Sequence, residues 1–198
     1  MSAKKIGLLF GSFNPVHNGH LVIAQTVVNQ QMADEVWLVV SPQNPFKDIK
    51  NLLNQYDRLY LVQLALEDNP KVKASTIEFN LPKPSYTIDT LTYLQEKYPD
   101  HQFAVIMGED NLEHLHKWKN YQKILQYYQI IVYPRFGYQI PDTYKNHPKI
   151  NLLQVPRFEI SATDIRKIIQ NGGSVRYLVP DSVYYCLVER KLYVDKPS

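Results

Sequence analysis

Short apolar runs alternate with amphipathic stretches along this 198-residue chain. Ile6–Phe10, Val36–Val40, Val72–Phe79, Phe103–Met107 and Ile130–Tyr133 are rich in apolar residues, the pattern of short strands buried on both faces. Between them apolar positions recur at helical spacing: Leu21, Ala24 and Val28 share one face, as do Leu59, Val62 and Leu66. Such alternation predicts an α/β fold with a doubly wound parallel sheet. Right-handed crossovers then place ligands at the carboxyl ends of the strands. Ser41–Asn54 and Pro134–Pro148, rich in Pro, Asn and charge, read as active-site loops rather than domain boundaries. Ile160–Tyr193 reads as two helices separated by Gly172-Gly173 and a short Tyr177–Pro180 connection. The expected organisation is a single domain, 1–198, with an α/β core over 1–159 and a helical portion over 160–198.

Composition changes this picture little. With 44% hydrophobic and 21% charged residues the chain is globular rather than disordered. The net charge of +3 suits an anionic substrate, and no dense Lys/Arg run marks a nucleic-acid surface. Cys186 is the only cysteine, which excludes an intrachain disulfide and fits a reducing compartment. The N-terminus has no secretory signal pattern, and no apolar stretch approaches the roughly 20 residues of a membrane span. A cytoplasmic protein with no membrane partner is expected.

The chemistry concentrates in Gly11-Ser12-Phe13-Asn14-Pro15-Val16-His17-Asn18-Gly19-His20, directly after the first strand. Glycine and small polar residues at a strand-to-helix turn let backbone N–H groups approach a phosphate, and the following helix points its positive end there. His17 and His20 are three apart, so both imidazoles face one pocket if His20 opens the helix. Their N–H donors would stabilise charge developing in phosphoryl transfer. Each feature has a blander reading. A histidine near a turn is commonly a cap, and a glycine in such a turn is common. A zinc pair would need further ligands, yet Cys186 is remote in sequence and no nearby carboxylate completes a site. Near the other end, Ile160-Ser161-Ala162-Thr163-Asp164-Ile165-Arg166 offers Ser161 as an N-cap with Asp164 in a shortened capping box. There N–H groups, the Ser161 and Thr163 hydroxyls and Arg166 would converge on a polyphosphate, unless the segment is simply a well-capped surface helix.

Taken together, these motifs resemble the H-x-G-H and I-S-S-T-x-I-R signatures of the nucleotidyltransferase superfamily, which includes nicotinate-nucleotide and phosphopantetheine adenylyltransferases. The middle of the chain resembles the first of these. Ser85-Tyr86-Thr87-Ile88-Asp89-Thr90-Leu91 is similar to their S-Y-T-x-D-T-L stretch, Gly108-Glu109-Asp110 to a G-x-D turn, and Trp118-Lys119 to a W-K element. Tyr177-Leu178-Val179-Pro180 with Val183 resembles their Y-L-x-P-x-x-V ending. The resemblance spans nearly the whole chain and implies a Rossmann-like sheet with a small helical C-terminal portion. Three segments depart from the pattern. Phe10-Gly11-Ser12-Phe13-Asn14-Pro15 replaces Gly-Gly-Thr-Phe-Asp-Pro, Asn44-Pro45-Phe46-Lys47 replaces Pro-Pro-His-Lys, and Asn80-Leu81-Pro82-Lys83-Pro84 stands where an Arg and a Gly precede S-Y-T.

The resemblance implies an enzyme that joins the AMP of ATP to nicotinate mononucleotide, with Mg²⁺ carried by ATP and no dedicated protein metal site. His17, His20 and Arg166 are the expected catalytic residues. Gly11, Ser12, Phe13, Gly108, Asp110, Arg135, Ser161 and Thr163 join them in holding ATP. Asn14, Lys47, Tyr86, Thr87, Trp118 and Lys119 are expected at the mononucleotide. Trp118 would stack on the pyridine ring, although from sequence alone it is a core aromatic. A preference for the acid follows if N–H groups around Trp118-Lys119 and the Thr87 hydroxyl meet a carboxylate, and Asp89, the only nearby acidic residue considered, faces away. Nicotinamide mononucleotide and phosphopantetheine remain alternative acceptors, and a non-catalytic nucleotide-binding protein of the same fold remains an alternative class. An RNA-binding protein would instead show strongly salt-dependent binding without turnover. His114 and His116 read as surface residues, and the oligomeric state, a homo-oligomer included, is left open.

Overall fold

The computed structural model describes residues 3–43, 52–157 and 159–194. Six strands, β1 (Lys5–Gly11), β2 (Glu35–Val40), β3 (Val72–Ser75), β4 (Gln102–Gly108), β5 (Gln129–Tyr133) and β6 (Ile150–Leu152), form one sheet in the order β3-β2-β1-β4-β5-β6. Every pairing is parallel. Because side chains alternate across a strand, one apolar run feeds two cores. Leu9, Leu38, Val40, Ala104, Ile106 and Ile131 face one layer, and Ile6, Leu8, Phe103, Val105, Ile130 and Val132 face the other.

The first layer holds α1 (Asn18–Asn29), α2 (Gln55–Ala65), α6 (Ala162–Gln170) and α7 (Asp181–Glu189), through residues such as Ala24, Leu61, Ile165 and Leu187. The second holds α3 (Thr87–Lys97), α4 (Glu109–Glu113) and α5 (Tyr121–Tyr127), through Leu91, Leu112 and Ile124. The sheet is therefore doubly wound, and the helices after residue 160 share a core with α1 and α2. Strand order reverses between β1 and β4, where crossovers leave in opposite directions and open a crevice at the carboxyl ends.

Four expectations change. The run Val72–Phe79 is not one strand: it stops at Ser75, and Ile77–Asn80 forms a turn of 3₁₀ helix that carries Glu78 inward. The edge strand β6 was not anticipated, because Ile-Asn-Leu is too short and too polar to carry a periodic signal. In α2 the fully buried face is Arg58, Leu61 and Val62, with Leu59 only partly covered. In α1, Ile23 and Val27 are buried with Ala24 and Val28, whereas Leu21 is only partly so.

Candidate active site

Gly11 ends β1 and Gly108 ends β4, the two strands that flank the crevice. The loop after Gly11 turns sharply, with Phe13 at φ 46°, a backbone state few non-glycine residues adopt. Phe13 is buried, and its ring meets the edge of His20 at 5.0 Å. His17 is the N-cap of α1, and its ring stacks on His20 with centroids 3.7 Å apart. Gly19 lets the His17 ring lie close to the backbone of α1: a Cβ there would stand 3.1 Å from His17 Nδ1 and push the ring by a few tenths of an ångström. The H-x-G-H spacing thus brings both imidazoles together, as expected. The His17 N–H donates to His20 Nδ1 at 3.3 Å, so neutral His20 keeps its proton on Nε2. His17 is 6% exposed, and burial, reinforced by the Arg135 charge, holds its pKa down at about 4. At neutral pH it is an uncharged donor, its Nδ1 enclosed without a hydrogen-bond partner.

The loop is clamped from elsewhere in the chain. Arg58, 0% exposed, donates to the carbonyls of Ser12 (2.5 Å), Ser41 (2.9 Å), Pro42 (3.3 Å) and Leu53 (2.9 Å). It joins the loops after β1 and β2 in one stroke. Sequence reasoning missed it, although an arginine at i, i+3, i+4 spacing with Leu61 and Val62 is a readable anomaly. Asn14, expected at the mononucleotide, is buried, and its amide oxygen accepts from Leu53 N–H (3.2 Å) and from the Tyr193 hydroxyl (2.7 Å). Tyr193 was missed too, for nothing nearby in sequence marks it. Arg166 reaches across to the same loop, donating to the Asn14 carbonyl at 2.7 Å and to Thr163 Oγ1 at 3.3 Å. Ser161 caps α6 as expected, accepting from Asp164 N–H at 3.1 Å and donating to its carboxylate at 2.5 Å.

Two cavities open on either side of Tyr133, which lines both. The smaller, about 30 Å³, lies among His17, His20, Arg135, Val155, Pro156 and Ile160. Arg135 packs over the Tyr133 ring at 5.7 Å, its Nε stands 3.6 Å from Asp110 Oδ1, and its N–H donates to Glu109 at 2.8 Å. Gly108 keeps this space open, since a Cβ there would displace the Asp110 carboxylate and crowd Arg135 Cγ at 3.0 Å. Burial pushes the Tyr133 hydroxyl up to about 12, so it stays neutral.

The larger cavity, about 90 Å³, is walled by Tyr86, Thr87, Trp118 and Lys119 together with Ser85 and Glu78. Four of the expected acceptor residues therefore meet in one place, at the start of α3. Lys47 lies outside the described residues. The Lys119 charge is not free for a ligand: it pairs with Asp89 at 2.8 and 3.0 Å and rests over the Tyr86 ring at 4.9 Å. Asp89 does lie outside the cavity lining, but the acidic group inside it, Glu78, was not anticipated. Burial pushes the Glu78 carboxyl above the usual carboxylate range. Among the described residues, no three His, Cys, Asp or Glu side chains cluster as a metal site. No helix among them is long and apolar enough to cross a membrane. His114 and His116 are exposed.

Residues 8–168 match the cytidylyltransferase-like family model. A Cytophaga hutchinsonii protein named "Probable nicotinate-nucleotide adenylyltransferase" is 50% identical over 193 residues, covering 96% of this chain and 98% of the relative. A Flavobacterium psychrophilum protein of the same name is 50% identical over 190 residues, with the same coverage. The solved structure of Plasmodium falciparum nicotinic acid mononucleotide adenylyltransferase complexed with NaAD has the same fold, with a TM-score of 0.83 at 20% identity over 96% of this chain and 97% of that one. Sheet order, crevice and sequence kinship agree, and the chain belongs to the nicotinate-nucleotide adenylyltransferase family of cytidylyltransferase-like proteins.

Proposed function

We propose that this chain transfers the AMP of ATP to nicotinate mononucleotide, releasing pyrophosphate and forming nicotinate adenine dinucleotide. The observation that carries this reading is the pair of cavities separated by Tyr133, with the stacked His17 and His20 rings at the crevice beside them. The adenosine of ATP occupies the smaller cavity, beside Arg135 and Asp110. The pyridine ring occupies the larger one, stacked on Trp118, with its carboxylate toward Thr87 and the positive end of α3. The phosphates then lie over Gly11–His17.

A phosphate oxygen of the mononucleotide attacks the α-phosphorus in line, and the bond to the β-bridging oxygen breaks with its electron pair leaving on pyrophosphate. The nucleophile is already anionic, so no base is required. Neutral His17, together with His20, donates hydrogen bonds to the α-phosphoryl oxygens, where charge grows. Arg166, Ser161 and Thr163 hold the departing pyrophosphate, with Lys47 assisting. Members of this family use a divalent metal with ATP, and we assign Mg²⁺, which neutralises phosphate charge and arrives bound to the substrate. We read residues 1–159 and 160–198 as one functional unit, working in the cytoplasm on nucleotides rather than on nucleic acid or at a membrane.

Measuring kcat/KM with nicotinate and nicotinamide mononucleotides tests the acceptor. One or two charge-assisted hydrogen bonds predict a lead of roughly tenfold or more for the acid. Parity, or a lead for the amide, overturns the assignment.

A further inference from the structure

Arg58 is a fully buried cation whose four side-chain hydrogen bonds end on neutral carbonyls. Among the described residues no carboxylate stands within ion-pair distance of it. The neighbouring Tyr193 hydroxyl is no counter-charge either, because burial pushes its pKa far up and keeps it neutral. Arg166, the other cation on the loop, bonds the Asn14 carbonyl and adds charge of the same sign. Burying a charge without a partner is costly, whereas tying carbonyls together asks only for N–H donors. The clamp therefore explains the hydrogen bonds of Arg58 but not its charge.

The orientation of the loop gives that charge a use. The Ser12–Phe13 peptide is trans, so its carbonyl and its N–H point in opposite directions. With the carbonyl on Arg58, the Phe13 N–H is turned away from the guanidinium, to the other side of the loop. A cation at the oxygen end of a peptide also polarises it, which strengthens the N–H as a donor. We infer that Arg58 is a positioning residue whose charge draws the polyphosphate of ATP onto the loop after β1, acting through the Ser12–Phe13 peptide, with the substrate as its counter-charge. This rests on the placement of the phosphates over Gly11–His17 given above. It differs from the clamp in what it requires: the clamp needs donors, and this attraction needs a positive charge. Salt screens a buried charge little, so the attraction persists at physiological ionic strength.

The test is calorimetric binding of adenosine, AMP, ADP and ATP, without added metal so that phosphate charge is not masked. The proteins compared are the wild type, Arg58→Gln and Arg58→Lys, each below its melting midpoint. In Arg58→Gln adenosine should bind as in the wild type, and the loss should grow along the series to about tenfold or more for ATP. In Arg58→Lys the charge itself can be switched, because a lysine titrates where an arginine does not. Between about pH 6 and 11 the affinity of this variant for ATP relative to adenosine should fall about tenfold further than that of the wild type. Equal losses for all four ligands in Arg58→Gln overturn the inference and leave Arg58 a clamp alone. A pH profile of Arg58→Lys parallel to the wild type does the same. Should Arg58→Gln not fold, the Arg58→Lys profile decides by itself. Failure of the wild type to turn over ATP and Mg²⁺ with either mononucleotide would instead defeat the assigned function, a result distinguishable from these binding ratios.

Discussion

The loop after β1 and the larger cavity share the carboxyl end of the sheet, yet they treat their polar groups in opposite ways. Around Ser12–Asn14 the carbonyls are held by Arg58 and Arg166, and the Asn14 amide by Tyr193 and Leu53. The cavity instead is lined by polar side chains, Glu78, Ser85, Thr87 and Asn111 among them. The first arrangement fixes geometry before substrate arrives, which is what stabilising a developing charge requires. The second leaves polar side chains facing open space, the arrangement by which a site can discriminate between ligands that do and do not match them.

Breaking the clamp should give the largest effect. Arg58→Ala strands four carbonyl groups and should cost about 3–5 kcal/mol in a urea melt. A loss below about 1 kcal/mol would mean that water readily replaces the guanidinium. His20→Ala leaves the clamp intact and removes a donor, so kcat should fall about a hundredfold with little change in melting midpoint. Retention of turnover within a few-fold would remove His20 from the chemistry.

The pH dependence of stability probes the other histidine. With a folded pKa near 4 against 6.5 unfolded, the unfolded chain binds more protons between those values. Stability should therefore fall as pH drops from 6.5 to 4, by on the order of 2–3 kcal/mol from this residue, and stay level above 6.5. Glu35, held near 2 by Lys4 and Lys73 despite its burial, acts in the separate window from 4.5 down to 2. Chemical melts of His17→Gln should lack the upper of these two slopes. On the cavity side, Trp118→Ala should raise KM for the mononucleotide by about tenfold and leave KM for ATP unchanged, the value of one stacked ring. Equal rises for both substrates would show that the two cavities are not independent.

What could be read in the sequence and what could not divides along the same line. β1, β2, β4 and β5 announce themselves as apolar runs, and the histidine pair follows from three-residue spacing at a helix start, because both are local properties of consecutive residues. Ser161 with Asp164 is legible for the same reason. Arg58, Glu78 and Tyr193 act on partners 46, 12 and 179 residues away. No periodicity encodes such contacts, and Glu78 was hidden further because Ile77 and Phe79 flank it as a strand would. Asn14 sits within a recognisable loop, yet the bonds by which its amide oxygen holds that loop come from residues 39 and 179 positions away and cannot be read locally.

The Tyr193–Asn14 bond joins residues 179 apart, and the Arg166–Asn14 bond residues 152 apart. Synthesis runs from the N-terminus at about 5–20 residues per second. The six strands are thus synthesised before the residues that supply these two bonds. A nascent polypeptide released at residue 160 carries the sheet, both histidines and the Arg58 clamp but lacks the Arg166 and Tyr193 bonds to Asn14, so prematurely terminated products should hold ATP less well than the full chain. The last two contacts to the loop are thus among its longest-range, and contacts of high sequence separation are slow to close.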